Sequence, residues 1–210
     1  MWTLFITGGL SPLSALGAGP DPESRVAERT SSPETTIQTA IADLTTLMAH
    51  RPADMPGDAF RTEVGELLTP YFDLPLMSRL AVGKHWRSAS PQQRERLTRE
   101  YRKLLVATYS VPLSALRESR VAGRSGDRNE DNSRARVLVD VTPPDDPALV
   151  LLFNLYRKDN HWLVYDMSVE GVSLTTNYRS EFSAIINREG LDGLITQLAD
   201  KNQKRDTDAL

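Results

Sequence analysis

The segment Tyr165–Leu198, YDMSVEGVSLTTNYRSEFSAIINREGLDGLITQL, constrains the fold more than any other part of the chain. Alternating residues up to Val169 close a strand, Glu170-Gly171 breaks it sharply, and helical spacing takes over at Leu174. Leu174, Tyr178, Phe182, Ile185 and Ile186 form one stripe; Leu191, Leu194, Ile195 and Leu198 form the next. A strand that runs straight into two amphipathic helices has to lay them on a sheet or on other helices. Ser173 stands where the first of them needs its N-cap. Nothing in the segment is arranged for chemistry. It builds an apolar wall.

The N-terminal half is helical in texture. Ser32-Pro33-Glu34 opens a helix, with Ser32 as cap and Pro33 at the first helical position, and Ile37, Ile41, Leu44 and Met48 follow at helical spacing. A second helix is expected from about Asp58 to Leu68, stopped by Pro70, and Tyr71–Leu80 suits a short third one. Gly83–Arg87 reads as a turn. Ser90 and Gln93 have capping-box spacing and open a long amphipathic helix to about Tyr109. Its inner stripe is Leu97, Tyr101, Leu104, Leu105 and Thr108, and its outer face is strongly charged.

Beyond Arg120 the pattern becomes that of strands. Arg134–Val141 places Val137, Val139 and Val141 on one face, and Ala148–Tyr156 is apolar on both faces. His161–Glu170 alternates, with Leu163, Tyr165, Met167 and Val169 sharing one face. Turns at Pro143–Pro147 and Asp159-Asn160 separate these runs. The fold class is therefore α+β: an antiparallel meander of about four strands with helices before and after it.

Composition removes several function classes. Among 210 residues, 25 basic side chains against 28 acidic give a net charge of −3, which does not suit a nucleic-acid binder. Without cysteine no disulfide, thiolate nucleophile or cysteine-ligated zinc is possible, and no acylated N-terminal cysteine is expected. His50, His85 and His161 show no metal-ligand spacing, Gly171–Thr175 lacks the second glycine of a nucleophile elbow, and no phosphate-cradling glycine motif occurs. Asp145-Asp146 lies in a proline turn, and Asp166 and Glu170 stand too far apart along a strand for a carboxylate dyad. No catalytic or metal-binding residue is assigned, and no cofactor is expected.

Residues 1–17 are read as a secretory signal peptide, with an apolar run from Trp2 to Leu16 and small residues suited to cleavage after Gly17. No Lys or Arg precedes Arg25, so the basic n-region is missing from it; a disordered apolar tail is the alternative. Residues 18–32 are expected to form a polar linker, 33–202 the folded domain, and 203–210 a disordered polar tail.

The stretches YFDLPLMSRLAVGKHWRSASPQQR, YDMSVEGVSLTTNYRSEF and GLDGLITQL, in this order and spacing, resemble the MlaC or toluene-tolerance auxiliary family over roughly Pro33 to Asn202. The resemblance implies a periplasmic phospholipid carrier of a lipid-asymmetry transport system, with phospholipid as cargo. It also implies a curved sheet related to the nuclear-transport-factor-2-like class, with the acyl chains held between sheet and helices. Two partners are implied: an inner-membrane ATP-driven (ABC) lipid transporter carrying substrate-binding domains, and an outer-membrane lipoprotein–porin complex. A hopanoid carrier of the same family and a ligand-free periplasmic adaptor are the alternatives.

For a lipid pocket, stripe geometry points to Leu76, Leu80 and Trp86, then to Tyr101 and Leu105 of the long helix. From the strands it takes Val139, Phe153 and Val169, and from the following turn and helix Val172, Leu174, Tyr178 and Phe182. Two acyl chains call for a cavity at or beyond the upper end of ordinary ligand pockets, ~1,000 Å³. Arg96, Arg99 and Lys103, at i, i+3 and i+7 on the outer face of the long helix, are candidates for docking an acidic partner or headgroup phosphates. A solvated face with a Glu95–Arg99 pair is the other reading.

Overall fold

A computed structural model describes residues 32–52, 54–114, 120–124, 127–144 and 147–207. The signal-peptide and linker assignments to residues 1–31 lie outside them. Among the described residues, five helices and a five-stranded sheet follow one another: α1 (Pro33–Ala49), α2 (Gly57–Leu68), α3 (Leu74–Val82), α4 (Pro91–Ser114), then β1 (Arg120–Arg124), β2 (Arg134–Thr142), β3 (Leu149–Lys158), β4 (His161–Val169) and β5 (Val172–Ser173), then α5 (Leu174–Thr207). Short 3₁₀ turns at Thr69–Tyr71 and Gly83–Trp86 join α2 to α3 and α3 to α4.

The caps legible in the sequence are formed. Ser32 Oγ accepts from the Thr35 amide at 3.0 Å. Ser90 and Gln93 make a reciprocal box, at 2.9 and 3.1 Å. Ser173 Oγ accepts from the Thr176 amide at 3.1 Å and starts α5. α4 runs past the expected end at Tyr109, through Pro112, to Ser114; so near a helix end a proline forfeits one amide bond without ending the helix. α5 is interrupted at Gly190, whose φ of 72° and ψ of 178° are open to glycine, so it is two helical arms, as the two stripes required.

The sheet is an antiparallel meander in the order β1-β2-β3-β4-β5. Asp159-Asn160 and Glu170-Gly171 both have positive φ at their two residues, the conformation of tight two-residue hairpins. The strand number exceeds the expected four because Arg120–Arg124 pairs with β2, and Val172–Ser173 adds a short fifth strand.

One strand departs from its sequence pattern. β3 and β4 change register between Asn154 and Leu155, leaving Tyr165 as an extra residue in β4. The expected face of Leu163, Tyr165, Met167 and Val169 is therefore split. Trp162 and Val164, before the bulge, and Met167 and Val169, after it, join the same core. Alternation survives in each half and reverses between them. β3 also differs from the expectation of full cover on both faces: Leu151, Phe153 and Leu155 are buried, while Val150, Leu152 and Asn154 are only half-buried.

Two cores result. One packs α1 and α2 on the sheet, with Ile37, Leu44, Phe60 and Val64 against Val137, Val139, Phe153 and Val164. The other is helical, joining Met77 of α3 and Leu97, Tyr101 and Leu104 of α4 to Phe182, Leu194 and Ile195 of α5. α4 serves both, since Val106 packs on the first and Leu105 on the second.

Candidate functional site

Between the cores lies a cavity of about 300 Å³. α1 supplies Ile37, Ala40, Ile41 and Leu44; α2 supplies Val64, Gly65 and Leu68. α4 adds Leu105, Val106 and Tyr109, and the sheet adds Val141, Leu149, Leu151, Phe153, Met167 and Val169. Phe72, Leu74, Met77 and Leu174 complete the lining. Among the described residues, Arg102 is the single charged side chain in the lining, and Thr69 and Tyr109 are its other polar ones. Burial first, then the neighbouring Tyr178, raises the Tyr109 phenol to about 12, so it remains a neutral hydroxyl at ordinary pH.

A second, more open space of about 480 Å³ adjoins the first and shares Thr69, Phe72, Leu74 and Arg102 with it. Its other walls include Trp86, Arg94, Thr98 and Arg99. The Arg94 guanidinium lies 5.4 Å from the Trp86 ring centre and donates to the Trp86 carbonyl at 3.0 and 3.3 Å. Three arginines and Glu95 thus stand among the largely apolar walls of a groove beside the chamber.

Asp73 and Asp166 fix the segments that carry Leu74 and Leu174. Asp73 caps α3 by accepting from the Leu76 amide at 2.8 Å, its own amide donates to the Val164 carbonyl at 2.9 Å, and Tyr156 donates its hydroxyl to the carboxylate. The phenol of Tyr156 is raised, by burial and then by that carboxylate. Asp166 takes the Thr175 amide at 3.1 Å and the Ser173 hydroxyl at 2.7 Å, fixing the start of α5, and with it Leu174, to β4.

The residues singled out from the sequence are placed as follows. Leu105, Phe153, Val169 and Leu174 line the chamber, and Trp86 lines the groove. Val139 is buried in the sheet core. Tyr101, Tyr178 and Phe182 meet in the helical core, with the Tyr101 ring 5.3 Å from Tyr178 and 5.6 Å from Phe182 in edge-to-face contact. Leu76 and Leu80 lie half-buried on α3 and line neither space, and Val172, in the hairpin, is 59% exposed. Of the basic trio, Arg99 lines the groove and pairs with Glu95 at 3.9 Å and Glu100 at 3.4 Å. Lys103 stands 4.0 Å from Glu100, and Arg96 is exposed.

The walls from α1 and α2 were not singled out. Their stripe is plain in the sequence, yet a stripe reports only which face turns inward. The chamber is also far smaller than the ~1,000 Å³ expected for two chains. Its helical walls carry Leu, Ile and Met side chains that pack closely towards the sheet.

Comparison with known proteins gives one consistent picture. The profile of the MlaC protein family matches residues 35–200. The intermembrane phospholipid transport system binding protein MlaC of Haemophilus influenzae is 29% identical over 141 residues, 66% of this chain and 66% of that protein. The match therefore spans just under two thirds of the Haemophilus protein's length. The toluene tolerance protein ttg2D of Pseudomonas putida is 25% identical over 158 residues, 71% of this chain and 72% of that one. Among solved structures, a phospholipid-binding protein from Ralstonia solanacearum, in complex with a phospholipid, superposes with a TM-score of 0.71 at 23% identity. That alignment covers 83% of this chain and 99% of the other.

Proposed function

Because the chain belongs to the MlaC protein family, we propose that the chamber between sheet and helices holds acyl chains of a phospholipid that the protein carries across the periplasm. The observation that carries this reading is the chamber's lining, apolar apart from Thr69, Tyr109 and Arg102, beside a groove that sets three arginines at its edge. Such a site suits a molecule with a long apolar part and a charged end.

A carrier is needed because each exposed methylene costs about 0.8 kcal/mol, so two chains of ~15 methylenes would cost on the order of 24 kcal/mol in water. Release then requires a receptor that competes for the lipid or opens the site. The two-core arrangement suits such opening: α1 and α2 can move away from the sheet while the α3–α5 core stays packed. Two full chains require that widening, whereas a single chain asks for less of it.

The proposed partners are an inner-membrane ABC lipid transporter with substrate-binding domains and an outer-membrane lipoprotein–porin complex. Arg96, Arg99 and Lys103, on the outer face of α4, are the proposed docking side chains. The test is purification without detergent from a bacterial host, followed by extraction and mass spectrometry of bound lipid. Stoichiometric phospholipid is expected. Hopanoid from a host that makes it would move the cargo to a polycyclic lipid. Protein that comes out bare and takes nothing from vesicles would overturn the carrier reading.

A further inference from the structure

Among the described residues, Arg102 is the one cation that lines both the apolar chamber and the groove beside it. Its neighbours are committed elsewhere. Arg94 is spent on the Trp86 carbonyl, and Arg99 is paired with Glu95 and Glu100. Arg102 Nη1 donates to Thr69 Oγ1 at 3.3 Å, while that hydroxyl donates on to the Gly65 carbonyl at 2.6 Å. Among the described residues no carboxylate lies within ion-pair distance of Arg102. A half-buried guanidinium with one neutral partner keeps most of its five donors for something else.

From this placement we infer that Arg102 binds the phosphodiester of the carried lipid at the throat, where the acyl chains leave the chamber. The inference rests on the phospholipid reading of the chamber and adds a selectivity to it. A guanidinium recognises the anionic phosphate geometrically, by paired N–H donors, and is indifferent to the group esterified beyond it. Thr69 orients the fork, and the paired Arg99 contributes positive potential from the rim. Selection is thus for a phosphate at a set depth, and lipids of the same chain length that lack one are disfavoured. The groove leaves space beyond the throat for headgroups of differing size.

The experiment offers delipidated protein vesicles of phosphatidylglycerol mixed with diacylglycerol of the same acyl chains, and measures by mass spectrometry the ratio of the two lipids taken up. Native protein should enrich the phospholipid, and Arg102→Gln should lower that enrichment about tenfold, the scale of one charge-assisted interaction. Arg102→Lys should keep part of it. The ratio is internal to each sample, so a change in the amount of folded protein leaves it unmoved. An unchanged ratio in R102Q overturns the assignment. If native protein takes up neither lipid, the chamber reading fails and the inference falls with it. Inorganic phosphate titrated calorimetrically into native protein should give no saturable binding; saturable binding that R102Q lacks would assign the site to a free anion and overturn the lipid role.

Discussion

Asp166 accepts the backbone amide of Thr175 at 3.1 Å, so the fourth strand caps the helix that follows it across the Glu170-Gly171 turn. With the Ser173 hydroxyl on its other oxygen, the carboxylate satisfies a helix N-terminus that would otherwise be exposed. Asp166→Ala should lower stability by about 1–2 kcal/mol, and Asp166→Asn, which keeps an acceptor, by clearly less. Urea denaturation of the three proteins measures both.

Leu174 follows that cap and faces the chamber. Leu174→Asp places a carboxylate at a helix start, where the helix dipole favours it, and directly in the path of an acyl chain. The protein should stay folded while copurifying phospholipid falls at least roughly tenfold. Lipid at the native level would mean that Leu174 does not meet the cargo.

Gly65 lines the chamber from α2, and a Cβ there would meet Val106 Cγ2 at 3.5 Å, an ordinary contact. Gly65→Ala should therefore keep lipid and raise stability by up to about 1 kcal/mol, as expected for a helical position. Gly65→Phe should cut lipid content sharply. Melting curves paired with lipid extraction distinguish blocked space from a damaged fold.

Arg96 and Lys103 point the docking proposal at α4. Charge reversal of both to Glu should slow lipid handover to vesicles carrying the inner-membrane complex by roughly tenfold at low salt, with little change in bound lipid. The difference should shrink as salt rises. Equal rates at low salt would leave this face without a docking role.

Glu34, at the start of α1, pairs with Arg128 at 2.7 Å. Partial burial acts to raise its carboxyl, but its backbone contact, the Ser32 hydroxyl and Arg128 outweigh that and hold it below the ordinary 4.5. A depressed carboxylate stabilises the fold above its unfolded value and loses that contribution as pH falls through the folded one. Arg128→Gln should thus cost less than about 1 kcal/mol near neutral pH, given solvent screening, and less still below pH ~4. Stability measured against pH for both proteins tests the sign.

Much of the fold was legible in the chain. The Ser32, Ser90 and Ser173 caps, the Val137–Val141 face and the two stripes after Leu174 follow from local spacing, and the fold contains all of them. What escaped depends on partners distant in sequence. Arg120–Arg124 becomes a strand through pairing with β2, and Asp73 and Asp166 acquire their roles from Tyr156 and Thr175. Ile41 and Leu68 carried the same apolar signal as any core residue; only assembly decides that they border open space. Tyr165 concealed the bulge because it is itself apolar and kept the alternation unbroken.

That extra residue works as a frameshift in side-chain sidedness. Upstream of it, even-numbered positions of β4 point at the greasy interior; downstream, odd-numbered ones do. Were Tyr165 paired in a regular, unbulged ladder, alternation would turn Met167 and Val169 outwards and bring Asp166 and Ser168 inwards. The same ten or so letters would then line the chamber with a carboxylate and a hydroxyl. The oiliness of this compartment is a matter of parity as well as composition.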